Sequence, residues 1–119
     1  MQLRPRDLLK FGELYLRGGE WRGRRIVTAE WVATSVAAHA PGPPERADGL
    51  AWHRTTLRSG GRSYREFEAN GNGGQFLIVL PDLDVAVVFT AGDYGRYGVW
   101  RHLRDDVVAN EIIPALLRP

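Results

Sequence analysis

The hydrophobic pattern of the first third of the chain is that of two amphipathic helices. Between residues 6 and 16, leucine and aromatic side chains recur every three or four positions, and Pro5 suits the first turn of such a helix. Gly12 weakens the interior of this helix by about 1 kcal/mol relative to alanine, which indicates close packing at that point. Thr28 is a good N-cap and predicts a second helix, which ends by Ala40 because a Pro-rich loop follows.

The pattern changes to that of β-strands after the Pro-rich loop at 41–44. The segments 50–57 and 63–70 predict two strands, and Ser59-Gly60-Gly61 is typical of the hairpin turn that would join them. A glycine-rich stretch at 71–74 then interrupts the strand pattern.

The segments 75–80 and 85–91 are almost wholly apolar, so we expect two strands in the centre of the sheet, covered on both faces. A final helix is predicted over about 99–117, with a disturbance near Pro114. Its apolar face is formed by Trp100, Leu103, Val107, Ile112 and Leu116. Two helices, a meander of about four antiparallel strands and a closing helix make an α+β fold, with the helices laid on the sheet.

Composition is consistent with one ordinary globular domain and removes several classes of function. Apolar residues make up 44% of the 119 positions and charged residues 25%. The chain has no cysteine, which excludes disulfides, thiolate metal sites and cysteine nucleophiles. Its apolar runs are too short to span a membrane and its N-terminus has no apolar leader, so the chain as written is expected to stay where it is made.

The net charge is +2, and the basic residues are almost all arginine, since Lys10 is the only lysine. Fourteen acidic residues are interleaved with these arginines, whereas nucleic-acid-binding proteins usually carry a basic stripe with few acids nearby. The densest cluster, formed by Arg22, Arg24 and Arg25, is interpreted as a solvated turn. We therefore expect no nucleic-acid partner.

No complete catalytic motif is present. None of the three serines is followed by lysine three residues later, and the chain contains no Tyr-x-Asn and no Lys-Thr-Gly. The histidines His39, His53 and His102 are far apart and lack metal-ligand spacing, so no metal and no cofactor are expected. His53 is predicted to face Glu66 or Glu68 across a hairpin as a half-buried, hydrogen-bonded histidine.

Seven short segments stand in a characteristic order along nearly the whole chain. They are RPRDL at 4–8, FGELYL at 11–16, GGEW at 18–21, AEWV at 29–32, GLAW at 49–52, ANGNGGQ at 69–75 and VLPDLDVAVVFT at 79–90. In order and spacing this set resembles the β-lactamase-related serine hydrolases. That family includes the class C β-lactamases, penicillin-binding-protein-like peptidases and related esterases.

The resemblance implies that the chain is the C-terminal portion of such a catalytic domain. Family members carry a Ser-x-x-Lys and a Tyr-x-Asn, which would lie upstream of Met1, and then a Lys-Thr-Gly or His-x-Gly on a sheet strand. The best match to the third motif is Ala69-Asn70-Gly71, where alanine replaces the cationic or hydrogen-bonding residue. By position, the N–H of Asn72 would help to form the oxyanion hole.

The predicted site therefore consists of one wall, formed by Ala69, Asn70, Gly71, Asn72 and Gly73, with no catalytic residue in the chain itself. The alternative for this stretch is a glycine-rich bulge between two strands. The parent reaction would be acyl transfer from a small-molecule ester or amide through a serine acyl-enzyme, and the chain alone is expected to be inactive.

A second hypothesis belongs to a different class of function. The chain would then be a non-catalytic binding module or pseudoenzyme relic that uses an exposed sheet edge. Under either hypothesis we expect self-association, or pairing with a separately made N-terminal half.

Overall fold

The two predicted helices are present in the computed structural model, which describes residues 2–41, the last by its backbone alone, and residues 47–119. Helix α1 spans Pro5–Leu16 and helix α2 spans Ala29–Val36, with the small hairpin β1 (Glu20–Trp21) and β2 (Arg24–Arg25) between them. Thr28 caps α2 as predicted, since its Oγ1 accepts a hydrogen bond of 3.0 Å from the N–H of Trp31.

A six-stranded antiparallel sheet forms the centre of the molecule, and the predicted α+β class is confirmed. In sheet order, which is also chain order, its strands are β3 (Ala40–Pro41), β4 (Ala47–Asp48), β5 (His53–Ser59), β6 (Arg62–Gly71), β7 (Gln75–Leu80) and β8 (Val85–Phe89). The four longer strands are those that the sequence predicts. Strands β3 and β4 were not predicted, and most of the predicted loop at 41–44 lies outside the described residues.

The prediction that both apolar strands are central is wrong for one of them. Strand β7 lies between β6 and β8, whereas β8 forms an edge of the sheet in the described part of the chain. A 3-10 turn at Pro81–Leu83 joins the two strands, and Asp84 completes the connection with a left-handed φ of 54°. Strand β8 is nevertheless apolar along its whole length, because helices cover both of its faces and leave each residue half-buried.

Helices α1 and α2 cover one face of the sheet. Trp52, Phe67, Leu77 and Val79 are buried there. The ring of Trp52 lies 4.7 Å from that of Tyr15 and 5.1 Å from that of Phe67, between ring centroids. Gly12 gives α1 its close approach to the sheet, as the sequence indicated, because a Cβ at this position would lie 2.7 Å from the Cβ of Ala86.

The C-terminal helix, residues 97–116, covers the other face. It is α-helical over Tyr97–Arg101, π-helical over His102–Ile112 and α-helical again over Ile113–Leu116. The π-helical winding has more than four residues per turn, so residues five apart share a face. The predicted apolar face is therefore partly wrong: Val108 and Ile113 are fully buried, whereas Leu116 is 49% exposed. The predicted break near Pro114 is absent, because the helix continues through Ile113–Leu116 with α-helical winding.

Candidate functional site

The glycine-rich segment predicted as a site wall ends strand β6 and turns into β7. Gly71 pairs with Gln75, and the register continues without interruption to the pair Phe67 and Val79, so the segment is the hairpin turn between the two strands. Gly73 and Gly74 have φ angles of 104° and 89°, which favour glycine. The turn geometry therefore requires at least these two glycines.

The loop that follows β8 holds this turn in place. The N–H of Asp93 donates to the carbonyl oxygen of Gly73 at 2.9 Å, and the N–H of Gly95 donates to Oδ1 of Asn72 at 3.2 Å. Gln75 Nε2 donates to the carbonyl oxygen of Ala91 at 2.5 Å. The N–H of Asn72 finds no acceptor among the described residues, so the turn presents a fixed and unused donor.

The last residues of β6 extend beyond the neighbouring strand β5. Pairing between these strands ends at His53 opposite Glu68, so Ala69, Asn70 and Gly71 pair only with β7. On an antiparallel strand, alternate residues direct their N–H and C=O groups to opposite neighbours. Within residues 2–41 and 47–119, the outward backbone groups of this short stretch therefore lack a strand partner.

The structure thus brings the backbones of the predicted wall together but sends its side chains to different places. Ala69 packs on the side of the sheet covered by α1 and α2, whereas Asn70 lies on the opposite side and donates from Nδ2 to Oε1 of Glu68 at 2.8 Å. Asn72 is exposed and Gly73 is buried beneath Tyr94, whose Cε1 would lie 3.1 Å from a Cβ at that glycine. Only the backbone can act as one unit here.

A pocket of about 260 Å³ adjoins this wall on the side of the C-terminal helix. Its lining combines aromatic, amide and charged side chains: Glu68, Asn70, Phe76, Tyr97, Trp100, Arg101 and Arg104. The rings of Tyr97 and Trp100 meet at an interplanar angle of 63° with 4.7 Å between centroids. The pocket is therefore amphipathic, with one border formed by the predicted wall through Asn70.

Sequence reasoning missed a buried carboxylate pair on this side of the sheet. Glu66 and Glu68 are 2% and 1% exposed, and both carboxylate oxygens of Glu66 and Oε2 of Glu68 lack a hydrogen-bond partner among the described residues. Burial, with a further contribution from the adjacent Glu68, raises the pKa of Glu66 to about 9. The sequence did contain a signal for this burial. Side chains alternate between the two faces of a strand, and because both faces of this sheet are covered by helices, Glu66 and Glu68 must point into one of the covered faces.

Arg104 of the C-terminal helix is the cation that faces this pair. Its Nη1 lies 3.4 Å from Oε1 of Glu68, while its Nε donates to Oδ1 of Asp105 at 2.6 Å. The guanidinium of Arg104 therefore already contacts two carboxylates, those of Glu68 and Asp105, in addition to lying near Glu66. In the described part of the chain, no cluster of three or more potential ligands could hold a metal ion.

His53 stands opposite Glu68 in the strand register, as the sequence predicted. Its ring Nδ1 lies 2.5 Å from Oδ1 of Asp48, and the two side chains are 34% and 44% exposed. His53 is therefore the half-buried, hydrogen-bonded histidine that was expected, although Asp48 was not foreseen as its partner.

The arginine cluster forms a surface hairpin. Arg24 and Arg25 form strand β2. The guanidinium of Arg25 pairs with Glu20 at 2.9 Å and donates hydrogen bonds to the carbonyl oxygens of Gly18 and Val27. Arg22 lies 5.2 Å from the ring centroid of Trp21. These contacts agree with the interpretation of a solvated turn.

Comparisons with known proteins found no match that assigns a family to this chain. The sequence matches no protein-family model and no curated protein. Among the described residues, no helix is both long and apolar enough to cross a membrane. A functional proposal therefore depends on the contacts of the turn, the strand end and the pocket.

Proposed function

We propose that this chain supplies one wall of an acyl-transfer site of the kind found in β-lactamase-related serine hydrolases. The observation that supports the proposal is the strand end at 69–71, whose outward backbone is unpaired in the described structure and which leads directly into the free N–H of Asn72. An extended substrate can add to such a strand end by main-chain hydrogen bonds. The substrate class is a small-molecule ester or amide.

The free N–H of Asn72 would act as one donor of an oxyanion hole. Acyl transfer places negative charge on the former carbonyl oxygen, and a donor that is already held in position stabilises that charge without reorganisation. Loss of one such donor typically lowers the rate about 100- to 1000-fold. Ala69 offers no side-chain donor, so the contribution of this wall rests on its backbone.

The nucleophile must come from another polypeptide segment. Ser59 is buried and donates to the carbonyl oxygen of Ala109, while Ser35 is buried and donates to that of Val32. Ser63 is exposed on β6 and, like the other two, has no lysine three residues later. We therefore expect no ester hydrolysis by the chain alone above that of a Ser63→Ala variant.

A titration followed by amide NMR tests the donor directly. Phenylphosphonate, a stable oxyanion with an aromatic group, is added to the uniformly ¹⁵N-labelled chain. We expect the amide signal of Asn72 to shift and saturate, while Gly60, in an exposed turn open to solvent, stays unchanged. Equal shifts at both positions, or none at Asn72, would contradict the proposal.

Two variants separate the backbone donor from the side chain of Asn72. Asn72→Ala keeps the N–H but removes the acceptor that receives the N–H of Gly95. Its titration should saturate at a moderately higher concentration. Gly71→Val places a branched side chain at the strand end, where a Cβ would lie 3.1 Å from Oε1 of Gln75, and should abolish the shift while the fold is retained.

A second candidate function, strand-mediated association, is supported by strand β8. This edge strand reads Val-Ala-Val-Val-Phe and contains neither charge nor proline, the two features with which proteins commonly protect sheet edges. We expect the mass measured by light scattering to rise above that of a monomer with concentration, and the amides of Val85–Phe89 to gain protection from hydrogen exchange. A monodisperse monomer with exchanging β8 amides would exclude this function.

A further inference from the structure

We propose that the Glu66–Glu68 pair holds one proton while the C-terminal helix is docked on the sheet, and that loss of this proton releases the helix. The proposal is independent of the acyl-transfer function. It rests on two buried carboxyl groups that stand two residues apart on β6 and on the same face of the sheet. Three of their four oxygens have no hydrogen-bond partner in the described part of the chain.

The charges that contact the pair favour one neutral carboxyl group, because a single cation faces three acidic side chains. The groups that face it are Asp105 and Arg104 from the helix, Arg101 at the pocket that Glu68 lines, Tyr64 along β6, and the His53–Asp48 pair across β5 and β4. Among these, only Arg104 directly contacts the pair, and it is already bonded to Asp105. With both glutamates ionised, three carboxylates would surround one guanidinium.

The helix is the element that can move to relieve this repulsion. Glu68 is paired with both β5 and β7, and Glu66 is paired with β5, so neither residue can leave the sheet without breaking its ladder. The helix is held by Val108 and Ile113 in the core and by the hydrogen bond from Ser59 to Ala109. Its π-helical segment, His102–Ile112, adopts a winding that is rare in proteins and is found frequently at functional sites.

The direction of the pH effect follows from which state binds the proton. Once the helix is released, Glu66 regains its ordinary pKa of 4.5, so below that pH both states are protonated and the docking equilibrium does not depend on pH. Between 4.5 and about 9, only the docked state holds the proton. Each unit of pH in that window therefore raises the equilibrium constant for release by up to tenfold.

Release also changes the neighbouring pocket. Four of the seven residues that line the 260 Å³ pocket belong to the C-terminal helix, and the remaining three belong to the sheet. Departure of the helix would therefore open the pocket beside Asn70 to solvent. Rising pH is expected to open this side of the molecule.

Hydrogen exchange on the intact chain tests the proposal. It is measured by mass spectrometry at pH 6, 7, 8 and 9 and corrected for the intrinsic exchange rate. Peptides from 102–113 report on the helix and peptides from 75–80 report on the sheet. We expect the opening constant of the helix to increase several-fold to tenfold per pH unit, ahead of that of the sheet. A helix whose opening constant is the same from pH 6 to 9, or always equals that of β7, would overturn the proposal.

Charge-removing variants identify the groups responsible. Glu66→Gln should keep the helix docked at pH 9 and remove the slope, which is the change in the logarithm of the helix opening constant per pH unit. Glu111→Gln, an exposed glutamate on the same helix, should leave the slope unchanged. Glu68→Gln supplies a second test that does not require Glu66→Gln to fold, because it removes the neighbouring like charge and should weaken the slope. A slope that persists unchanged in the variants of the pair would contradict the proposal.

Discussion

Replacing Gly12 with alanine tests the packing of α1 on the sheet. The added Cβ would lie 2.7 Å from the Cβ of Ala86 and 3.0 Å from Cδ1 of Leu77, well inside the optimal carbon–carbon separation. Overpacking of this kind typically costs about 1–3 kcal/mol. The helical preference of alanine over glycine offsets about 1 kcal/mol of that cost. We therefore expect a net loss of about 1 kcal/mol in the free energy of unfolding.

Urea denaturation monitored by tryptophan fluorescence measures this loss, and the melting temperature should fall by about 4 °C. The matched control is Gly98→Ala, also in a helix, where a Cβ would meet nothing within 4 Å. That control should be neutral or more stable by about 0.5 kcal/mol. A Gly12→Ala variant that is as stable as Gly98→Ala would show that α1 does not approach the sheet this closely.

Three further substitutions test the core, the sheet edge and the surface by thermal or urea denaturation. Ile113→Ala removes a fully buried side chain and should cost about 2–5 kcal/mol, whereas Leu116→Ala, at a position 49% exposed, should cost less than about 1 kcal/mol; equal losses would contradict the π-helical register. Val87→Asp places a charge against the core beneath the C-terminal helix and should cost at least about 2 kcal/mol, so an unchanged melting temperature would count against that packing. Arg17→Ala breaks a pair with Asp84 whose side chains are 51% and 60% exposed, and should change stability by less than about 1 kcal/mol; a larger loss would show that the pair matters more than its exposure implies.

Local signals in the sequence predicted most of the fold. The start of α1 at Pro5, the cap at Thr28 and the four longer strands follow from spacing, capping and alternation, which depend on neighbouring residues. The π-helical winding could not be predicted in this way. Spacing and capping rules assume the α-helical period of 3.6 residues, whereas the segment His102–Ile112 has the wider hydrogen-bond spacing of a π-helix.

The candidate site was predicted as a segment but not as a geometry. The glycine-rich stretch at 71–74 predicted an interruption of the strand pattern, and the structure has a hairpin turn there. Strand alternation predicts that Ala69 and Asn70 lie on opposite faces of the sheet. The unpaired backbone beside them could not be predicted, because it depends on the register between β5 and β6, which ends at His53. The burial of Glu66 likewise depends on the C-terminal helix, which covers this face of the sheet.

Determining the coding sequence immediately upstream of Met1 tests most directly whether this chain forms one wall of an acyl-transfer site. We expect an open reading frame that continues upstream and encodes a Ser-x-x-Lys followed by a Tyr-x-Asn, the nucleophile and proton-transfer groups that this chain lacks. An in-frame stop codon directly before Met1, with no such motifs encoded nearby, would contradict the claim that this chain forms one wall of an acyl-transfer site.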